Sequence, residues 1–131
     1  MRLLLDTQCW LWMAASPERL SARAHSLVES LDNELLLSAA SAWEIAIKHA
    51  LGKLPLPEPP SRYVRTRLEQ LRTLALPIDP AHALQAGALP GHHRDPFDRL
   101  LVAQGQIEAL PILTADPIFA KYDVATIDAL T

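Results

Sequence analysis

Three short apolar runs constrain this chain more than any other feature: Leu3-Leu4-Leu5, Leu35-Leu36-Leu37 and Ile112-Leu113-Thr114. Each gives way within four residues to a polar residue suited to opening a helix: Asp6, Ser41 and Asp116. Runs too short for a helix and apolar at every position read as strands buried on both faces. Such strands belong to parallel sheets covered by helices on both sides.

The segments between them carry helical periodicity. A helix over about 8–14 contains Trp10 and Trp12, and Leu20, Ala24, Leu27, Val28 and Leu31 mark a second. Ser41 is expected to cap a third, with a stripe of Trp43, Ile47, Ala50, Leu51 and Leu54 and Gly52 as its stop. After the stiff connector Pro55–Pro60, Tyr63, Val64, Leu68 and Leu71 line a further helix. Leu74–Ile78 reads as a strand, Asp79-Pro80 as the start of a short helix, and Asp95-Pro96 as the start of a long one. Val124–Ile127 reads as a last strand. The expected fold is α/β, a single domain over residues 1–131 with helices flanking the sheet.

Composition narrows the function classes. One cysteine, Cys9, excludes an internal disulfide and a multi-cysteine zinc site, and it reads as a small packed side chain. No apolar run approaches the ~18–20 residues a membrane helix needs. The start of the chain is too briefly apolar for a signal peptide, so a cytoplasmic location is expected. A net charge of −3 argues against a broad nucleic-acid surface, although residues 53–73 carry five basic side chains against two acidic ones.

Four acids then stand out: Asp6, Glu44, Asp98 and Asp116. Singly, each has an ordinary helix-end explanation. Asp6 can cap the helix after the first strand; Glu44 lies at capping-box spacing from Ser41 and at ion-pair spacing from Lys48. Asp95 is an N-cap before Pro96, which puts Asp98 third in that helix, and Asp116-Pro117 repeats the cap-then-proline pattern. Jointly they share an address. A helix that follows a parallel strand starts at the sheet's carboxyl edge, and so does one running antiparallel into the next strand. All four acids fall on that edge, where open α/β sheets place ligands. Clustered carboxylates need protons or a cation, and oxygen-only donors favour Mg2+ or Mn2+.

Other residues read more simply. His92-His93 is a solvated loop pair, Trp10 and Trp12 are packing residues, and the arginines of residues 62–72 form a solvated helix face.

Four segments together resemble the PIN domain: Leu4-Leu5-Asp6-Thr7; Ser41-Ala42-Trp43-Glu44-Ile45-Ala46-Ile47-Lys48 with Gly52-Lys53-Leu54; His93-Arg94-Asp95-Pro96-Phe97-Asp98-Arg99-Leu100-Leu101; and Leu113-Thr114-Ala115-Asp116. The branch is similar to the VapC-type toxins of bacterial toxin–antitoxin pairs. The resemblance implies a parallel sheet of about five strands and endoribonuclease activity with Mg2+, or Mn2+ in its place. It also implies a homodimer and a small antitoxin that blocks the site. Residue by residue, it assigns the metal site to Asp6, Glu44, Asp98 and Asp116. Asp95 and Thr114 become supporting residues, and Lys48 and Arg99 substrate contacts. Gln8 stands where many relatives have His, and Gly105 where Ala is usual. Two rivals remain: a PIN scaffold that binds RNA or antitoxin without cutting, and a phosphotransfer site with Asp6 as nucleophile. The second usually needs an acid two residues on, and that position is Gln8.

Overall fold

A computed structural model describes residues Met1–Thr131. Five strands form one sheet: β1 (Arg2–Leu5), β2 (Glu34–Ser38), β3 (Thr73–Leu76), β4 (Ile112–Thr114) and β5 (Thr126–Asp128). The order across the sheet is β3-β2-β1-β4-β5, and every neighbouring pair is parallel. Six α-helices accompany them: α1 (Thr7–Ala15), α2 (Ala22–Glu29), α3 (Ala39–Ala50), α4 (Pro60–Gln70), α5 (Pro80–Ala88) and α6 (Pro96–Ile107). None is long and apolar enough to cross a membrane.

The apolar triplets behave as two-sided strands. Leu3, Leu5, Leu35, Leu37 and Leu113 face one core with Cys9, Trp10, Ile45 and Tyr63 from α1, α3 and α4. Leu4, Leu36 and Ile112 face the other with Leu101 and Val102 of α6. Alternation along each strand sends neighbours to opposite faces, so an unbroken leucine run is what a doubly covered strand requires. Burying each such side chain contributes roughly 1.5–3 kcal/mol.

Several helix boundaries differ from expectation. Ser38, not Ser41, caps α3, accepting from the Ala40 N–H at 3.0 Å. Ser41 is instead the third helical residue, fully buried, and its hydroxyl accepts from Thr7 Oγ1 at 2.7 Å. Glu44 is therefore in the second turn, and no capping box joins it to Ser41. The spacing from Ser41 to Glu44 is real but the helix simply began three residues earlier. Strand β3 starts and ends earlier than Leu74–Ile78, and β5 ends one residue later than Ile127. Gly52, at φ +72°, closes α3: its N–H reaches the His49 carbonyl, and the Lys53 N–H reaches that of Lys48. That left-handed turn suits a residue without Cβ.

Candidate active site

The sheet order reverses at β1, with β2 on one side and β4 on the other. Crevices at such a switch form outside the carboxyl ends of the strands. A cleft of about 540 Å³ lies there, lined by Asp6, Glu44, Asp95, Asp98 and Asp116. Lys48 and Lys53 form part of its wall. A larger hollow, about 1100 Å³, lies at the start of β2 against Leu20, Leu35 and Leu74 and holds none of these acids.

Different elements deliver each carboxylate. Asp6 follows β1 at the N-cap position of α1, yet its side chain makes no cap hydrogen bond. It accepts instead from Thr114 Oγ1 on β4, 2.8 Å from Oδ2, and is only 8% exposed. Helix capping therefore does not account for Asp6. Glu44 projects from α3 with Oε2 2.6 Å from Lys48 Nζ. Asp98 is the third residue of α6, and its Oδ2 lies 2.7 Å from His93 Nε2. Asp116 does cap the 3-10 helix Pro117–Lys121, accepting from Ile118 N at 3.0 Å. Asp95 caps α6 through Phe97 N and Asp98 N, as its sequence context predicts. Thr114 serves two partners, donating to Asp6 and accepting from the Asp116 N–H at 3.0 Å.

One pattern unites the four acids. Each has one oxygen held by a neighbouring donor: Thr114, Lys48, His93 or the Ile118 N–H. These bonds reach only that one oxygen of each acid. The clearest case is Glu44 Oε1, which is buried with no hydrogen-bond partner. A buried, unpaired carboxylate oxygen costs several kcal/mol unless something compensates it.

Electrostatics agree. Burial raises the Asp6 pKa from 3.8 to about 6; the Thr114 hydrogen bond opposes the rise, and repulsion from Glu44 and Asp116 adds to it. Asp98 goes up to about 7, mainly by burial and then by repulsion from Asp6 and Asp95. The Lys48 ammonium is pushed up by its hydrogen bond to Glu44. Acids raised first by burial and then by mutual repulsion in a common cleft fit a divalent cation, and oxygen donors suit a hard one. The ligand atoms of His93, Asp98 and Asp116 all lie within 4.8 Å of one another.

Two residues differ from their sequence readings. Arg99, a substrate contact by resemblance, has both Nη atoms donating to the carbonyls of Ala86, Leu89, Pro90 and His93 at 2.8–3.1 Å. These four bonds hold the α5–α6 connection. His93 is not a solvated loop residue, because it touches Asp98; only geometry reveals this, since nothing in helical periodicity assigns a loop histidine. His92 packs its ring edgewise on Tyr122. Lys53 also lines the cleft, and the Gly52 turn that places it there is visible in sequence.

Comparisons with known proteins cover most of the chain. A family model, the PIN domain, matches residues 3–125. Ribonuclease VapC22 of Mycobacterium tuberculosis is 33% identical over 115 residues, covering 87% of this chain and 86% of that protein. Ribonuclease VapC16 of the same organism is 53% identical over 57 residues, 44% of this chain and 40% of that one, so that match spans less than half of either. Among solved structures, FitAcB from Neisseria gonorrhoeae is 26% identical with TM-score 0.63, covering 98% of both chains. VapBC2 from Rickettsia felis, bound to a promoter DNA fragment, is similar in fold alone, with TM-score 0.73 at 14% identity and 98% of both chains covered. With the family match running through nearly the whole chain and through all four acids, this chain belongs to the PIN domain family.

Proposed function

We propose that the protein is a metal-dependent endoribonuclease that hydrolyses RNA phosphodiester bonds and acts in the cytoplasm as the toxin of a toxin–antitoxin pair. The observation that carries this reading is the set of four carboxylates, each anchored through one oxygen and facing a common cleft. The names of the similar proteins support the nucleic-acid and partner parts: two ribonucleases, and toxin–antitoxin complexes among the structures.

Asp6, Glu44, Asp98 and Asp116 would hold Mg2+, with Mn2+ as a substitute. Such an ion would lower the pKa of a water at the cleft and offset charge on the attacked phosphate. Thr114 and Lys48 fix the orientation of Asp6 and Glu44. Asp116, the most exposed of the four, or Glu44 would assist deprotonation of the attacking water through a water molecule. Lys53, with no carboxylate partner among the ion pairs, meets the RNA backbone at the cleft, while Lys48 is held by Glu44. A homodimer and a cognate antitoxin covering the cleft complete the assembly.

The test is cleavage of single-stranded RNA by purified protein, with Mn2+ and with chelator, beside Asp98→Asn. Cleavage that requires the metal and falls to background in the variant, with circular dichroism unchanged, is expected. RNA binding without metal-dependent cleavage would instead favour the non-cleaving scaffold.

A further inference from the structure

We propose that His93 is a positioning residue for the metal site, fixing which oxygen of Asp98 faces the ion. This rests on the metal-site reading above and adds a residue to it.

His93 sits in the loop between α5 and α6, and that loop is built to hold it. Its main-chain N–H donates to Tyr122 Oη at 2.8 Å, and its carbonyl accepts from Arg99 at 3.1 Å. Tyr122 Oη in turn donates to the Pro90 carbonyl at 3.1 Å, and Arg99 binds the same carbonyl. Both ends of the His93 peptide unit are therefore fixed from outside the loop. The ring is about a quarter exposed, with Nε2 on Asp98 Oδ2 at 2.7 Å.

Two lone pairs cannot approach to that distance, so a hydrogen lies between them. With Asp98 ionised as a metal ligand, that hydrogen is on Nε2, and the ring donates. A charge-assisted bond of this length is among the stronger hydrogen bonds in proteins. It occupies Oδ2 and leaves Oδ1 as the oxygen for the cation. Thr114 does the same for Asp6 and Lys48 for Glu44, so three donors from three elements orient three ligands. Losing such an outer partner typically weakens metal binding by about 10–100-fold.

The experiment measures Mn2+ affinity of the full chain by calorimetry for wild type, His93→Leu, His93→Gln and Asp98→Asn. Gln can place an amide N–H near the position of Nε2, whereas Leu cannot donate. Wild-type binding weakened about ten-fold or more in His93→Leu and largely kept in His93→Gln supports the proposal. Equal affinity for wild type and His93→Leu, or equal losses in Leu and Gln, overturns it. Electron spin-echo spectroscopy of the Mn2+ complex gives a second reading. Nitrogen coupling present in wild type and lost in His93→Leu overturns positioning, because the ring would then be a direct ligand. If Asp98→Asn binds Mn2+ as wild type does, the metal-site reading itself fails, and this outcome is distinct from a failure at His93 alone.

Discussion

Asp6→Asn is expected to stabilise the metal-free protein while removing its response to metal. Burial and neighbouring carboxylates raise the Asp6 pKa from 3.8 to about 6. A displacement of roughly two pK units corresponds to about 3 kcal/mol, at 1.36 kcal/mol per unit. A carboxyl raised in the folded state binds its proton more tightly there than in the unfolded chain. Its contribution is therefore intact below about pH 4, is lost as pH rises through about 6, and is a full cost above about pH 7. Because Asp6 is only 8% exposed, solvent screening takes little of this away. The asparagine oxygen can still accept from Thr114 Oγ1, so the 2.8 Å bond survives the substitution. Burying the amide itself costs about 1–2 kcal/mol, which leaves a net gain of about 1–2 kcal/mol near pH 8. For a domain of this size that is a rise in Tm of roughly 3–8 °C. The assay is thermal or urea unfolding of chelator-dialysed protein at pH 4, 6 and 8, then again with Mn2+. The gap should change sign, from a deficit of about 1–2 kcal/mol for the variant at pH 4 to a gain of about 1–2 kcal/mol at pH 8. Saturating Mn2+ at about 100 times its Kd should stabilise wild type by about 2.7 kcal/mol and leave the variant unmoved. A variant less stable than wild type at pH 8, or a gap independent of pH, would refute the reasoning.

Two further outcomes follow from packing. Arg99→Lys should cost about 2–3 kcal/mol in urea unfolding, because a single ammonium cannot span the four carbonyls that the guanidinium fork reaches; the salt dependence of RNA binding should not change, as it would if Arg99 met phosphate. Gly105→Ala should destabilise by about 1 kcal/mol despite the better helix propensity of Ala, since an added Cβ would meet Val124 Cγ2 at 2.8 Å and the Leu110 carbonyl at 3.1 Å. Val124→Ala in the same chain should recover part of that loss, and no recovery would show that the clash lies elsewhere.

The last of these explains the glycine inside α6. Its reason is contact with Val124 and Leu110, residues outside the helix, and no helical pattern could expose it. The misplaced cap of α3 has a similar origin. Ser38 and Ser41 are both good caps, and the choice depended on where β2 stops pairing with β3, at Ser38 opposite Leu76.

From its residues alone, this chain determines a doubly covered parallel sheet and places Asp6, Glu44, Asp98 and Asp116 at one edge of it. Strand length, leucine runs and cap-proline pairs are local properties, and chain handedness converts them into a common address. Tertiary structure alone decided which oxygen of each acid is held and which is left for a ligand. Thr114 reaches Asp6 across 108 positions of sequence, and His93 reaches Asp98 from a loop held by Arg99 and Tyr122. Periodicity records which face a residue occupies; a hydrogen bond at 2.7 Å depends on where two separate backbones come to rest.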